Sequence, residues 1–483
     1  MLASANFYAR LEHALRANPA GVCVVWPATA HQPATAHTGA NVLAAVHIIQ
    51  TQLAAQGLRA GQPVLLLLPL GPALLATLLG VLALGAVPVL PPAGASRWAT
   101  RQVARRAAQS RVVLPAAGSG CGRLVARLFG LRALVVGLDN AAPATAAASV
   151  AAVAPEQPAL VSHSSGSTGR PKAIRRAHGV LAAQHAALCA AFPPWPAQRD
   201  FPLFPNLLLH NLATGAVSVV PAVAPGGLAT FDPARVAAQL RAEQVQTLTG
   251  NVFYFERLCA HLRQHPAALP HVRAVGVGGS PVPETLLHEL RAAFPPARVF
   301  VVYGSSEAEP IAVREASADA PAPDPRLGYC VGSPRPELEC RLQPTAALRL
   351  PDGRRVQAGE VLVRGAHVAA PPGAWLPTGD FGYFDQAGGL VLTARRGNET
   401  AHVGTQHYQL EHWLRHQPGV AQAAARAHAT GFDVYVQGPA PLAALRQALA
   451  AAFPGVPVWR LRRRRQLPVD ARHLSKILYA RLA

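Results

Sequence analysis

Short continuous apolar runs alternate with helical segments between residues 64 and 302. The runs that predict strands are Val64–Leu68, Val87–Leu90, Val112–Leu114, Ala133–Val136, Ala159–Ser162, Val245–Thr249, Ala274–Val277 and Val299–Val302. The segments that predict helices are Pro72–Leu84, Pro233–Glu243 and Pro283–Phe294. Because buried parallel strands are apolar on both faces, this alternation predicts α/β layers. We expect the binding and catalytic residues to lie in the loops at the strand ends.

The pattern changes after Ala316. Proline, glycine and short apolar stretches dominate to about Ala394, which predicts a β-rich subdomain. The helical segments Gln409–His416 and Pro441–Phe453 then predict a small α+β domain. We therefore expect an α/β fold with a large multi-layer N-terminal domain, residues 1–396, and a small mobile C-terminal lid domain, residues 397–483.

The most apolar run, Ala73–Leu90, is barely long enough to cross a bilayer. It contains two glycines and Pro88, and it divides well into a helix, a turn and a strand. The first twenty residues carry Glu12 and two arginines and lack the apolar core of a signal peptide. We expect a cytoplasmic protein with no integral membrane segment.

Length and charge narrow the function classes. A chain of 483 residues suggests two or more domains or one large one. The net charge of +20 is compatible with nucleic acid or anionic membranes, but arginine is spread along the chain apart from the run Arg462–Arg465. With no nucleic-acid motif, we expect a solvated basic surface that attracts anionic substrates. The six cysteines form no C-x-x-C pair, so their spacing indicates neither a zinc site nor a disulfide framework.

A glycine- and hydroxyl-rich segment, Ser164–Lys172, follows the strand Ala159–Ser162. Its glycines let the backbone approach an anion closely, and its side chains add hydroxyl donors and one ammonium group. The phosphate-binding candidates are Ser164, Ser165, Gly166, Ser167, Thr168, Gly169 and Lys172. The order differs from the G-x-x-x-x-G-K-[ST] loop, and a flexible surface linker is the alternative interpretation.

Two further segments follow neighbouring predicted strands. Gly278-Gly279-Ser280-Pro281 comes after Ala274–Val277, and Tyr303-Gly304-Ser305-Ser306-Glu307 comes after Val299–Val302. Glu307 offers the carboxylate oxygen that a hard cation prefers. Alone, the second segment reads equally well as an ordinary turn, but the two together are more specific.

The last two segments lie in the C-terminal third. Thr378-Gly379-Asp380 is followed by Arg395, and a carboxylate suits a ribose diol because it accepts two hydroxyl hydrogen bonds. A simple turn is the alternative for Asp380. The segment Leu467–Lys476 ends in one of only two lysines in the chain, the other being Lys172. All other basic positions are arginine, which suggests that a compact ammonium is needed at these two.

Together these segments resemble the ANL superfamily of adenylate-forming enzymes, which includes acyl-CoA synthetases, peptide-synthetase adenylation domains and luciferases. The resemblance implies that the Ser164–Gly169 loop holds the β- and γ-phosphates of ATP and that Gly279 and Ser280 bind adenine. It also implies stacking of Tyr303 on adenine, contact of Ser306 with the α-phosphate, and binding of Mg²⁺ by Glu307. Asp380 and Arg395 would bind ribose, and Lys476, Glu307 and Lys172 would be the catalytic residues.

The implied function is ATP-dependent, AMP-forming activation of a carboxylic acid as an acyl-adenylate. The apolar stretch Phe201–Leu209 favours a fatty acid, although Asp200 at its edge is an alternative partner for a substrate amine. The expected cofactors are ATP and Mg²⁺. Transfer to CoA or to the thiol of an acyl carrier protein would follow, with no nucleic-acid partner.

Departures from the family pattern leave open which group accepts the acyl chain after adenylation. They include Ala173 for glycine, Pro205 for histidine, Gly397 at the hinge, and two extra residues between Pro468 and Lys476. Several motifs look most like the branch that contains β-lactone synthetases, which adenylate a β-hydroxy acid whose own hydroxyl displaces AMP. A third alternative is a nucleotide-binding protein without ligase activity, which Gly397 and the short tail favour and Lys476 opposes.

Overall fold

The computed structural model describes residues 5–28, 33–91, 111–116, 123, 126–127, 130–138, 149–164, 172–204, 206–223, 230–317, 319, 321–470 and 474–482. The chain divides into two compact units, Met1–Thr247 and Leu248–Ala483. The boundary expected between residues 396 and 397 lies within the second unit and stays a prediction.

The first unit combines helices with mainly parallel strands. Its described helices are α1 (Phe7–Ala17), α2 (Gly39–Ala55), α3 (Pro72–Ala83), α4 (His178–Ala191), α5 (Leu207–Thr214) and α6 (Pro233–Ala242). Its described strands are β1 (Val22–Trp26), β2 (Thr35–Thr38), β3 (Pro63–Leu66), β4 (Val87–Val89), β5 (Arg111–Pro115), β6 (Arg132–Val136), β7 (Pro158–Ser164), β8 (Lys172–Ala177), β9 (Arg199–Pro202) and β10 (Val217–Val219).

The strands of this unit form two groups. One sheet runs β6-β5-β3-β4-β7-β8, parallel except for the antiparallel pair β7 and β8. The other strands lie in the order β9-β10-β1-β2. Both are covered by helices, as α/β layers require.

The apolar run at residues 73–90 divides into α3 and β4, as its glycines and proline predict. Pro72 occupies the first turn of α3, where a missing N–H costs nothing. Leu79 and Leu82 are fully buried in a core that also contains Leu11 of α1. Among the described residues, every helix is too short or too polar to cross a membrane.

The second unit is richer in strands. Its described helices are α7 (Val252–Gln264), α8 (Glu284–Ala293), α9 (His407–Arg415) and α10 (Leu442–Ala452), with short 3₁₀ turns at Pro325–Leu327 and Tyr479–Arg481. Its described strands are β11 (Thr247–Asn251), β12 (Ala274–Gly278), β13 (Arg298–Ser305), β14 (Ala308–Glu315), β15 (Tyr329–Gly332), β16 (Leu338–Arg349), β17 (Arg355–Gly365), β18 (Leu376–Phe384), β19 (Leu390–Arg395), β20 (Gln422–Ala427), β21 (Phe432–Gln437) and β22 (Val458–Arg463).

Three groups of strands follow one another along this unit. The order β14-β13-β12-β11 comes first, and an antiparallel sheet β15-β19-β18-β17-β16 forms the β-rich region expected after Ala316. The last sheet, β20-β21-β22, packs with α9 and α10 around Leu410, Phe432 and Leu449. The mixed α/β fold class is therefore confirmed.

Strand β11 is the clearest error in the predicted boundaries. It begins two residues later than expected and extends to Asn251. The Asn251 side chain accepts a hydrogen bond from the Tyr254 N–H at 2.9 Å and so caps α7. A strand end that also serves as a helix cap carries no apolar signal, which explains the error.

Candidate active site

Strands β12 and β13 bring two of the predicted motifs to one sheet edge. They are parallel neighbours, with Gly278 opposite Val302. The first motif therefore begins at the end of β12 beside Tyr303, which lies within β13 rather than after the strand as predicted. A Cβ on Gly278 would lie 2.3 Å from the Val302 carbonyl oxygen. Gly279 has a φ of +79°, which favours glycine. Gly278 is therefore required by this close approach, and Gly279 is favoured by its backbone conformation.

Asp380 and Arg395 are paired by strand register, because they lie directly opposite each other on β18 and β19. Arg395 Nη1 donates to Asp380 Oδ1 at 2.5 Å, and the Tyr303 hydroxyl donates to Asp380 Oδ2 at 2.9 Å. The Asp380 side chain is only 13% exposed. A carboxylate offers about four acceptor sites, so both oxygens can still accept further hydroxyl donors.

The environment raises the pKa values of Tyr303 and Arg395. Burial, and then the charge of Asp380, raise the pKa of the Tyr303 phenol well above its ordinary value. The Asp380 carboxylate likewise raises the pKa of Arg395. Tyr303 thus stays a neutral donor and Arg395 stays a cation at physiological pH.

A buried polar chain extends from Arg395 to the C-terminal tail. The Arg395 N–H donates to His407 Nε2 at 3.0 Å, so the other ring nitrogen carries the proton and donates to Glu411 Oε1 at 3.1 Å. Glu411 also accepts from the Ala425 N–H at 2.8 Å and from the Tyr479 hydroxyl at 3.0 Å. Burial, and then the charge of Glu411, raise the pKa of Tyr479 well above its ordinary value, so it stays a donor.

This buried polar network was not predicted from the sequence. His407 and Glu411 are fully or nearly fully buried. They lie four residues apart on the amphipathic helix α9 and therefore share a face. Polar residues at that spacing on an apolar face are the signal that could have revealed them.

The segment that carries Lys476 is closed by backbone contacts. The Lys476 N–H donates to Asp470 Oδ1 at 3.1 Å, and the Asp470 N–H donates to the Lys476 carbonyl at 2.9 Å. The Ser280 hydroxyl donates to the Ser475 hydroxyl at 2.9 Å. The Lys476 side chain is exposed. These contacts hold the segment beside Ser280, one of the predicted adenine-binding residues.

Glu307 and Ser306 occupy the turn between β13 and β14, and both are half-buried. The Glu307 carbonyl accepts from the Ala369 N–H at 2.7 Å, which anchors this turn. The Glu307 carboxylate is a hard oxygen ligand of the type that Mg²⁺ prefers. This donor chemistry fits the expected metal.

The predicted phosphate loop begins and ends at a strand pair of the first unit. Ser164 of β7 lies opposite Lys172 of β8, and Lys172 is exposed. Ser165, Gly166, Ser167, Thr168 and Gly169 lie outside the described residues. The roles predicted for these residues and for Lys172 stay predictions.

Asp200 is already engaged by neighbours of the first unit. Its carboxylate accepts from Asn211 Nδ2 at 2.8 Å and from Thr247 Oγ1 at 2.5 Å, and its burial raises its pKa. Leu208 and Leu209 of the adjacent stretch pack in the hydrophobic core. Asp200 therefore has a structural role, and these two leucines belong to the core.

Comparison with known proteins agrees with the motifs. The family described as AMP-binding enzyme matches residues 11–371. The olefin beta-lactone synthetase of Stenotrophomonas maltophilia is 29% identical over 89% of this chain and 88% of its own length. The indoleacetate–CoA ligase of Aromatoleum aromaticum is 27% identical over 56% of this chain and 54% of its own.

Among solved structures, ATP-bound MatB from Rhodopseudomonas palustris has the same fold. Its TM-score is 0.79 at 18% identity, with 99% of this chain and 98% of that chain covered. The motif resemblance, the fold and the family match over three quarters of the chain agree with one another. The chain therefore belongs to the AMP-binding enzyme family, within the ANL superfamily of ATP-dependent, AMP-forming ligases.

Proposed function

We propose that this ligase activates a β-hydroxy carboxylic acid, whose own hydroxyl then displaces AMP to close a β-lactone. One observation carries the proposal, namely how much of each relative aligns with this chain. The olefin beta-lactone synthetase aligns along nearly its whole length, whereas the CoA ligase aligns along about half of its length.

In the first step, a carboxylate oxygen of the acid attacks the α-phosphorus of ATP. The bond from this phosphorus to the pyrophosphate oxygen breaks, and the products are the acyl-adenylate and pyrophosphate. No covalent enzyme nucleophile is needed, so catalysis comes from positioning and from cations that face the developing charge. We assign the cation between carboxylate and α-phosphate to Lys476.

The nucleotide would be held by the groups at the edge of β12 and β13. Tyr303 presents an aromatic face to adenine beside Gly279 and Ser280. Asp380 accepts from the ribose hydroxyls at its remaining lone pairs, and Arg395 donates to its other oxygen. This assignment rests on the hydrogen bonds from Tyr303 and Arg395 to Asp380.

The phosphates would lie against the loop Ser164–Gly169 and Lys172. Ser306 would donate to the α-phosphate, and Glu307 would hold Mg²⁺. When bound, Mg²⁺ supplies positive charge that neutralises the phosphate oxygens. The protein's own contribution at this point is to place the Glu307 carboxylate on a turn anchored through Ala369.

In the second step, the β-hydroxyl oxygen attacks the acyl carbon of the adenylate. The bond between this carbon and the phosphate oxygen breaks, AMP leaves, and the hydroxyl proton is released to solvent. The atoms balance without CoA or another acceptor. An apolar acid is expected, because the described residues of Phe201–Leu209 include no charged group that a substrate ammonium would need.

Transfer to CoA or to a carrier-protein thiol is the second candidate. The alignment with the indoleacetate–CoA ligase over more than half of this chain favours it. An inactive nucleotide-binding protein is the third candidate, and it predicts ATP binding without pyrophosphate release.

The deciding experiment pairs each 3-hydroxy fatty acid with its unhydroxylated counterpart of equal length. Each acid is incubated with ATP and Mg²⁺, with and without CoA, and pyrophosphate release and product mass are measured. We expect turnover of the hydroxy acid without CoA and a product lighter by one water. CoA-dependent formation of a thioester from either acid would instead establish the second candidate. If ATP binds but no acid causes pyrophosphate release, the third candidate would be favoured.

A further inference from the structure

Two helices of the first unit bring together two imidazoles and a thiol. His185 and Cys189 lie on α4, and His210 lies on α5. The Nδ1 atoms of the two histidines are 3.1 Å apart, and Cys189 Sγ is 3.8 Å from His185 Nε2. One potential ligand atom from each of the three residues lies within 4.8 Å of the others. His185 is buried, and the other two side chains are half-buried.

The spacing of these residues suits a metal chelate. His185 and Cys189 are four residues apart, so they project from one face of α4. His210 approaches that face from the second helix. In a tetrahedral zinc site the ligand atoms are about 3.3–3.8 Å apart, given Zn–N bonds of about 2.0–2.1 Å and Zn–S bonds of about 2.3 Å. The 3.1 and 3.8 Å separations involve different nitrogens of His185, and one ligand atom from each residue lies within 4.8 Å of the others. Binding would therefore draw the three side chains together by up to about 1.5 Å.

We propose that His185, Cys189 and His210 form a three-residue site for Zn²⁺. Imidazole nitrogen and thiolate sulfur are the ligands that zinc prefers, whereas Mg²⁺ requires oxygen. The fourth coordination position would be filled by water. The ion would bind through one nitrogen of each ring and the sulfur, with release of the thiol proton to solvent. The site could not be predicted from the cysteine spacing, because its three ligands come from two separate helices.

The surroundings are compatible with this ligand set. Burial lowers the pKa of both His185 and His210 to about 4, so both rings are neutral and keep a lone pair at physiological pH. Burial raises the pKa of Cys189, and the charge of Arg10 partly opposes that effect by favouring the thiolate. The Phe7 ring packs edge-on against His185, with centroids 6.2 Å apart, and limits its rotation.

The direct test is titration of chelator-treated protein with Co²⁺ in excess Mg²⁺. Mg²⁺ occupies oxygen sites and does not compete for a thiolate. We expect a thiolate-to-cobalt charge-transfer band that saturates at one ion per chain. The variant Cys189→Ser should lose the band and bind more than about 100-fold more weakly. The matched control Cys340→Ser changes another half-buried thiol and should keep the band.

Thermal unfolding gives a readout that separates binding from misfolding. We expect Zn²⁺ to raise the Tm of the wild type and of Cys340→Ser, and to leave that of His210→Gln unchanged, with matching circular dichroism spectra before heating. A wild type without the cobalt band, or a band that persists in Cys189→Ser, would overturn the site. So would an equal Zn²⁺ effect on the Tm of His210→Gln and the wild type.

Discussion

Replacement of Lys476 by alanine is the most direct test of the proposed adenylation chemistry. The backbone of this segment is held by the mutual contacts of Lys476 and Asp470, and the Ser475 hydroxyl contacts Ser280. The lysine side chain itself is exposed. The substitution should therefore change stability by less than about 0.5 kcal/mol.

The effect on rate should be much larger. Loss of one preorganised contact with transition-state charge costs about 2.7–4 kcal/mol, which corresponds to a decrease in kcat of about 100- to 1000-fold. Lys476→Arg keeps the charge but should recover little activity, because a planar guanidinium is wider than an ammonium. A stable but slow enzyme is thus the expected outcome.

The assay is pyrophosphate release at saturating ATP and acid, with the Tm measured on the same samples. Arg481→Ala is the matched control, since it removes another exposed basic residue from the same tail and should leave the rate unchanged. Unchanged pyrophosphate release by Lys476→Ala would refute the assignment. An equal loss in Arg481→Ala would show that general positive charge, rather than this lysine, is responsible.

Three further predictions follow from the described contacts. Glu307→Gln should raise the Mg²⁺ concentration needed for half-maximal activity at saturating ATP, because an amide binds a hard cation less well; a titration that matches the wild type would remove Glu307 from the metal site. Asp380→Asn should raise the KM for ATP by about 10- to 100-fold, because Arg395 then lacks its anionic partner; an unchanged KM would contradict the ribose assignment. His178→Asn should flatten the pH dependence of stability. Burial lowers the pKa of His178 to about 4, so the unfolded chain takes up the proton first as the pH falls from 6.5. This group should then lower the wild-type unfolding free energy by at most about 1.4 kcal/mol for each pH unit below 6.5. Unfolding free energies from denaturant titrations that depend equally on pH in both proteins would contradict this.

Residues whose roles depend on local backbone geometry could be predicted from the sequence. Gly278 and Gly279 follow an apolar run; a Cβ on Gly278 would collide with Val302, and Gly279 has a positive φ. Likewise, the glycines and Pro88 of the run at residues 73–90 predict its division into a helix and a strand. In both cases the informative residues lie within a few positions of one another.

Contacts between distant segments could not be predicted in the same way. The sequence indicates Asp380 and Arg395 separately, but their pairing depends on the register of β18 and β19. The proposed Zn²⁺ site could not be predicted for the same reason, because residues 185 and 210 come together only through the packing of two helices. Asp200 shows it too, since its partners Asn211 and Thr247 become neighbours only in the folded unit.

The buried carboxylate of Glu411 gives the second unit a geometry that apolar packing alone would not specify. A buried charge is costly unless it is fully hydrogen-bonded, so its donors must all be in place together. One donor, His407, is fixed by the backbone of Arg395, and another, Tyr479, lies three residues beyond Lys476. A fully satisfied buried polar network favours one arrangement of its members. The network therefore fixes the position of the tail that bears Lys476 relative to the strand that bears Arg395. We therefore infer that the position of Lys476 relative to Asp380 depends on the buried carboxylate of Glu411.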